Sequence, residues 1–290
     1  MKKEIGGIIP AVLTPFTTDN EVDHSALRKL LAYQLELGVS AFFVCGNSGQ
    51  YYLLSEEERK QVLETVLDQA GEVPVLVHVG DPDPRVAVRL ARHAEEQGAD
   101  AVAAILPGYS LEQSLEHYRL IGEATGLPLL AYLFAVNIEV DLELVRALTD
   151  LPTFAGVKFT SFNMYKMERI IHMNEGQYLV LSGKDEAFLG AQVMGADGAI
   201  GSTYNLMPDI FVGISEAIET GDLKKAEKLQ KLANDQLELL LKTGSVRGMR
   251  YILSEMGVIG PSPRPPVASL QDQEQEICRQ VASNLEKFRS

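Results

Sequence analysis

A lysine stands in the middle of an apolar, β-rich run, Phe154-Ala155-Gly156-Val157-Lys158-Phe159-Thr160. An ammonium in such a run is costly to bury unless it is paired or neutralised. Apolar surroundings disfavour the charged form and pull a lysine down from its ordinary pKa of about 10.4. A neutral amine is a nucleophile that forms a Schiff base with a carbonyl compound. The plainer alternative is a lysine at a strand end whose ammonium reaches solvent or a carboxylate. Thr160 is two residues on and shares the lysine's face if the run is a strand.

Four further clusters could do chemistry. In Gly46-Asn47-Ser48-Gly49-Gln50, two glycines flank a hydroxyl, so that Asn47, Ser48 and Gly49 can converge backbone N–H groups on an anion. The same pattern also serves as an ordinary tight turn. Tyr132, near the end of Pro128-Leu129-Leu130-Ala131-Tyr132-Leu133-Phe134, offers a phenol for proton transfer or for a core hydrogen bond. Ser182-Gly183-Lys184-Asp185-Glu186 brings two carboxylates to the start of a helical stretch, where they favour the helix N-terminus or hold the hydroxyls of a polyol. Gly201-Ser202-Thr203-Tyr204-Asn205 is a small turn rich in hydroxyls. Together these residues suit a 2-keto acid: the turn takes the carboxylate, the lysine attacks the ketone and the phenol moves protons.

The elements that must position them alternate regularly. Short apolar runs begin near Ile8, Ala41, Pro74, Ala101, Pro128, Phe154, Tyr178 and Gly198. Each is followed by a stretch with helical spacing: His24 to Gly38, Ser55 to Gly71, Asp83 to Gly98, Leu111 to Gly126, Asp141 to Leu151, Asn163 to Gly176, Asp185 to Ala196 and Pro208 to Gly221. Ser55-Glu56-Glu57-Glu58 has the form of a capping box. Strands apolar on both faces belong to a parallel sheet covered by helices. Eight such units predict an α/β fold, a (β/α)8 TIM barrel, with its site at the C-terminal strand ends. A doubly wound sheet is the main alternative, but no Gly-x-Gly-x-x-Gly follows the first strand. Residues 1–222 read as the barrel catalytic domain. Residues 223–290 read as a helical C-terminal region, Asp222–Thr243, Ser245–Met256 and Leu270–Phe288, packed on the barrel or on a neighbouring subunit.

The chain has 290 residues, is 46% hydrophobic, and carries 26 basic against 40 acidic residues, a net charge of −14. That sign opposes binding to nucleic acid or to an anionic membrane surface. No apolar stretch is long enough to span a bilayer, and the start lacks the apolar core of a signal peptide. Cys45 and Cys278 offer neither a disulfide framework nor metal spacing, and they fit a cytoplasmic chain with reduced thiols. No cluster has the ligand spacing of a metal site, so no cofactor or metal is expected.

These stretches resemble the pyruvate-dependent class I aldolase superfamily that contains dihydrodipicolinate synthase and N-acetylneuraminate lyase. The likeness runs from Gly7-Ile8-Ile9-Pro10-Ala11-Val12-Leu13-Thr14-Pro15-Phe16 to Gly257-Val258-Ile259-Gly260-Pro261-Ser262-Pro263-Arg264-Pro265-Pro266. The run Gly195 to Asn205 is most similar to the lyase branch. The resemblance implies that Lys158 forms the Schiff base, Tyr132 shuttles the proton, Ser48 and its loop bind the pyruvyl carboxylate, and Thr160 lines the pocket. It implies further that Gly183, Asp185, Glu186 and Ser202 contact a polyhydroxyl tail. Tyr109 would reach a neighbouring subunit's site within a homotetramer, a dimer of dimers. The expected activity is a carbon–carbon lyase that splits N-acetylneuraminate, or a related 2-keto-3-deoxy sugar acid, into pyruvate and an aldehyde.

Several positions depart from the family pattern: Asn47, Ser48 and Gln50 in the loop, Leu133, Phe134 and Ala135 after the tyrosine, and Lys184 beside the tail site. Asn137 stands where the synthase branch has an arginine, which argues against the synthase. The apolar Leu133 and Phe134 keep open a pyruvate aldolase or hydratase-aldolase with a more apolar acceptor. The altered loop keeps open a catalytically weak keto-acid-binding protein.

Overall fold

A computed structural model describes residues 5–106, 108–134, 140–260 and 263–290. Eight strands form one parallel sheet: β1 (Gly7–Pro10), β2 (Phe42–Val44), β3 (Val75–His78), β4 (Ala101–Ile105), β5 (Leu129–Phe134), β6 (Phe154–Thr160), β7 (Leu179–Ser182) and β8 (Gly198–Gly201). Their order is β1-β8-β7-β6-β5-β4-β3-β2. The two ends of that order meet through the parallel bridge Ala11 to Phe43, with Val12 N–H donating to Phe43 O at 2.9 Å. The sheet thus curls into a (β/α)8 barrel, as the alternation predicts.

The covering helices are α1 (His24–Glu36), α2 (Glu56–Ala70), α3 (Pro84–Gln97), α4 (Leu111–Ala124), α5 (Leu142–Leu148), α6 (Met164–Ile171), α7 (Phe188–Val193) and α8 (Pro208–Glu219). Ser55 and Glu58 close the expected capping box on α2. Three helices are shorter than their sequence spacing predicts. α5 ends at Leu148, α6 gives way to a 3-10 turn over Met173–Gly176, and α7 is preceded by one over Asp185–Ala187. The last difference matters for the site, because Asp185 is drawn inward to bond Thr203 instead of entering a regular helix. Cys45 lies just beyond β2 with φ of 56°.

Side chains alternate between two cores. Ile9, Ala11, Phe43, Leu76, Ala103, Leu130, Tyr132, Leu181 and Ile200 fill the barrel interior. Val44, Val77, Val102, Leu129, Val157, Phe159 and Val180 pack outward beneath the helices. β6 contains one irregularity. Leu129 pairs with Phe154, but Leu130 pairs with Gly156, so Ala155 is an extra residue. Such a bulge reverses which residues of a strand point inward. Phe154 accordingly packs outward, whereas Lys158, of the same parity, points into the barrel against Phe43 and Tyr132.

Three helices follow the barrel: α9 (Leu223–Leu241), α10 (Ser245–Glu255) and α11 (Asp272–Arg289). They are tied into it by arginines. Arg289 bonds Asp209 and Leu206 O. Arg264 bonds Glu58 and Leu53 O, and Arg250 bonds Thr14 O and Gln50. Among the described residues no helix is long and apolar enough to cross a membrane.

Candidate active site

The parallel register sets Tyr132 directly beside Lys158 on neighbouring strands. Both point into the barrel near its C-terminal mouth. Lys158 Nζ lies 4.0 Å from the centre of the Tyr132 ring and 4.4 Å from that of Phe43. Only 4% of the residue is exposed, and among the described residues its amine makes no hydrogen bond or ion pair. Burial pushes the lysine down to about 7, with Asp185 pulling weakly the other way. An amine with that pKa is substantially neutral at neutral pH. The geometry therefore favours the nucleophile over the solvent-reaching ammonium.

Burial raises the Tyr132 phenol above its ordinary range, so the hydroxyl stays protonated and can donate or relay a proton. Asn47 Nδ2 donates to it at 3.5 Å. Thr160 Oγ1 is close enough to lower the phenol's pKa, but it makes no well-formed hydrogen bond and is buried without a partner. Gly183 is where the chain passes Thr160, and a Cβ there would collide with Thr160 Oγ1. His78 lies behind Tyr132 with its rings edge-on at 6.2 Å. Its Nε2 accepts from Ile105 N–H at 3.1 Å, and burial holds it well below the usual histidine pKa. It is a satisfied core histidine.

Asn47, Ser48 and Gly49 form a turn closed by Gln50 N–H donating to Asn47 O at 3.0 Å. Gly49 is needed because a Cβ would sit 2.9 Å from Val12 O. Ser48 Oγ lies 2.6 Å from Ser202 Oγ, joining the β2 loop to the end of β8. Asn205 holds β8 to β1 by donating to Ala11 O and accepting from Leu13 N–H. Ser48 and Ser202 are thus brought together across the barrel's closing seam.

Asp185 is buried, and its Oδ2 accepts from both Thr203 N–H and Thr203 Oγ1, at 2.8 and 2.7 Å. Burial raises this carboxyl against those hydrogen bonds. One of its oxygens is therefore committed to the protein, and the other packs against Gly201. Glu186 sits at the rim, 3.6 Å from Lys184 Nζ, which also lies 4.3 Å from the Phe162 ring. Gln230 and Asn234 of α9 hold the Asp185 and Glu186 carbonyls.

Tyr109 is not part of this cluster. Its hydroxyl donates to Pro82 O at 2.9 Å, and its ring packs near His117. Asn137 and Ala135 lie outside the described residues. Among the described residues no three His, Cys, Asp or Glu side chains gather as a metal site requires. Phe43 and Arg250 are residues that the sequence reading passed over. A charged residue on the buried face of α10, next to Met249, is the one signal that pointed to Arg250.

The chain matches the dihydrodipicolinate synthetase family over residues 4–285. It is 35% identical to N-acetylneuraminate lyase of Citrobacter koseri, over 98% of each chain. The wild-type sialic acid aldolase of Ruminococcus gnavus superposes with a TM-score of 0.94 at 27% identity, over 98% of each chain. N-acetylneuraminate lyase of Fusobacterium nucleatum complexed with pyruvate does so at 0.91 and 28%, over 98% of this chain and 97% of that one.

Proposed function

The chain belongs to the dihydrodipicolinate synthetase family, and from that premise we propose that it is a Schiff-base-forming carbon–carbon lyase cleaving N-acetylneuraminate or a related 2-keto-3-deoxy sugar acid to pyruvate and an aldehyde. The observation that carries this reading is the near-neutral amine of Lys158 packed against Tyr132 inside the barrel. In the proposed reaction Nζ attacks the C2 carbonyl, water leaves, and an iminium forms. The C4 hydroxyl gives up its proton through Tyr132, the C3–C4 bond breaks, and its electron pair moves into the iminium to give an enamine. The aldehyde departs. Protonation at C3 and hydrolysis then release pyruvate and the free lysine. The Asn47–Gly49 turn and Ser48 receive the carboxylate. Asp185, Glu186 and Ser202 face the hydroxylated tail.

Borohydride reduction in the presence of pyruvate tests the reaction class. It should add one pyruvyl group to the peptide containing Lys158. A label confined to other lysines would refute the assignment. A screen of sugar acids for pyruvate release tests the substrate. A second reading, an aldolase with a more apolar acceptor, is favoured by Phe134 and Phe162, 45% and 58% exposed at the end of β5 and just past β6. Pyruvate release from aromatic adducts alone would select it.

The buried, unpaired thiols of Cys45 and Cys278 are in keeping with a cytoplasmic enzyme. A homotetramer in which Tyr109 approaches a neighbour's site completes the proposal. A monomeric mass in solution would remove that part.

A further inference from the structure

Arg250 of α10 is joined to a loop 200 positions away in the chain. Its Nη2 donates to Gln50 Oε1 at 2.9 Å and to Thr14 O at 2.5 Å. These two partners flank the Asn47–Gln50 turn. Gln50 closes the turn in a left-handed conformation, φ 57°, sparsely populated by residues other than glycine. Thr14 lies under it, since a Cβ on Gly49 would sit 3.3 Å from Thr14 Oγ1. A single guanidinium therefore pins the turn from its exit and from below.

The arrangement is expensive. Arg250 is only 3% exposed. Among the described residues no carboxylate lies within ion-pair distance, and its Nε and Nη1 are buried without hydrogen-bond partners. Burial lowers its pKa to about 10, so it remains a cation at neutral pH. Burying a charge without an opposite charge beside it costs stability. The Phe16 ring lies 5.1 Å from the guanidinium carbon, but among the described residues no carboxylate balances the charge.

We propose that Arg250 is a positioning residue for the carboxylate of the keto acid: by bridging Gln50 and Thr14 it holds the turn that presents the Ser48 hydroxyl and the turn's N–H groups. This rests on the keto-acid reading above. The C-terminal helices are thereby part of the site's construction, and Arg264 supports the same loop further on by donating to Leu53 O at 2.8 Å.

The test compares wild type with Arg250→Met, Gln50→Leu, their double variant and Arg250→Lys. Borohydride trapping at Lys158 is titrated with pyruvate, kcat and KM are measured for the sugar acid, and thermal unfolding is followed. Loss of a charge-assisted hydrogen bond should raise both the half-saturating pyruvate concentration and KM by roughly ten- to a hundred-fold. kcat, and the pH midpoint of trapping, should hold. The double variant should be no worse than Arg250→Met, because one contact is being removed twice. Arg250→Lys should recover part of the loss, and Arg250→Met should unfold only modestly below the wild-type temperature, since relief of the buried charge offsets the two acceptors left without their donor. Unchanged half-saturation in the variants overturns the proposal. So does a parallel loss of kcat and thermal stability, which marks simple packing. If Arg250→Met does not fold, Gln50→Leu and Arg250→Lys decide by the same readings. A wild-type enzyme that traps no pyruvate overturns the keto-acid reading and this proposal with it, whereas normal wild-type trapping with unaltered variants overturns this proposal alone.

Discussion

The two ends of the site are built differently. At the inner end, Lys158 and Tyr132 are buried on adjacent strands, with Phe43 of β2 packed against them inside the barrel, where register and close packing set every position. Desolvation there shifts the lysine down and the phenol up. At the rim, Lys184 and Glu186 pair at 3.6 Å with about a quarter and a third of their side chains exposed, beside the exposed Phe162 ring. Charges in contact with water interact weakly. On the proposed reading, reactivity is concentrated at the inner end, and substitutions at the rim should alter which aldehyde half is accepted without disturbing imine formation.

The strongest way to break this contrast is to remove the inner amine. Lys158→Arg should abolish both trapping and turnover, because a guanidinium stays protonated and does not attack. Residual labelling of the variant by pyruvate and borohydride would show that reactivity is not concentrated there. Tyr132→Phe comes next. Loss of a positioned proton-transfer group should lower kcat on the order of 10²–10⁴-fold, while circular dichroism reports an intact fold. A near-normal kcat would make the phenol a core hydrogen-bonder.

A pH series sharpens the same contrast. Burial pushes the folded lysine down to about 7, and in the proposed reaction only its neutral form attacks. The trapping rate should therefore rise with pH through that region and level off above it. Asp185 favours the charged form, so Asp185→Asn should move the midpoint to lower pH. A midpoint near that of free lysine would show that the amine is not desolvated in solution.

The smallest effects belong to the rim. Glu186→Ala should raise KM for the sugar acid about ten-fold, the loss of a hydrogen bond to a charged group. Its pyruvate titration should stay at the wild-type value. A variant impaired equally in both assays would mean that the two ends are not separable.

Much of the fold was legible along the chain. All eight strands begin within a residue or two of the runs read as strands, because parallel barrel strands are apolar on both faces and stand out between amphipathic helices. Lys158 and Tyr132 were legible for the opposite reason: each is a polar group where the pattern wants an apolar one. The turn around Ser48 was visible through its glycines. The support beneath it was not, since Gln50 and Arg250 are ordinary polar residues until folding brings them together. Asp185 read as a free carboxylate at a helix start, and only the chain's return at Thr203 reveals that one of its oxygens is already engaged.

By itself the sequence determined the class of fold, the family, and the presence of an amine and a phenol on neighbouring strands. It could not determine that the amine faces the phenol. On simple alternation from the outward-packed Phe154, Lys158 would point away from the barrel. The extra residue at Ala155 reverses the parity and turns the lysine inward against Tyr132 and Phe43. Register, and the loss of water that lowers the amine's pKa, belong to the pairing of strands and the closure of the barrel. They exist only once residues distant in the chain are in contact.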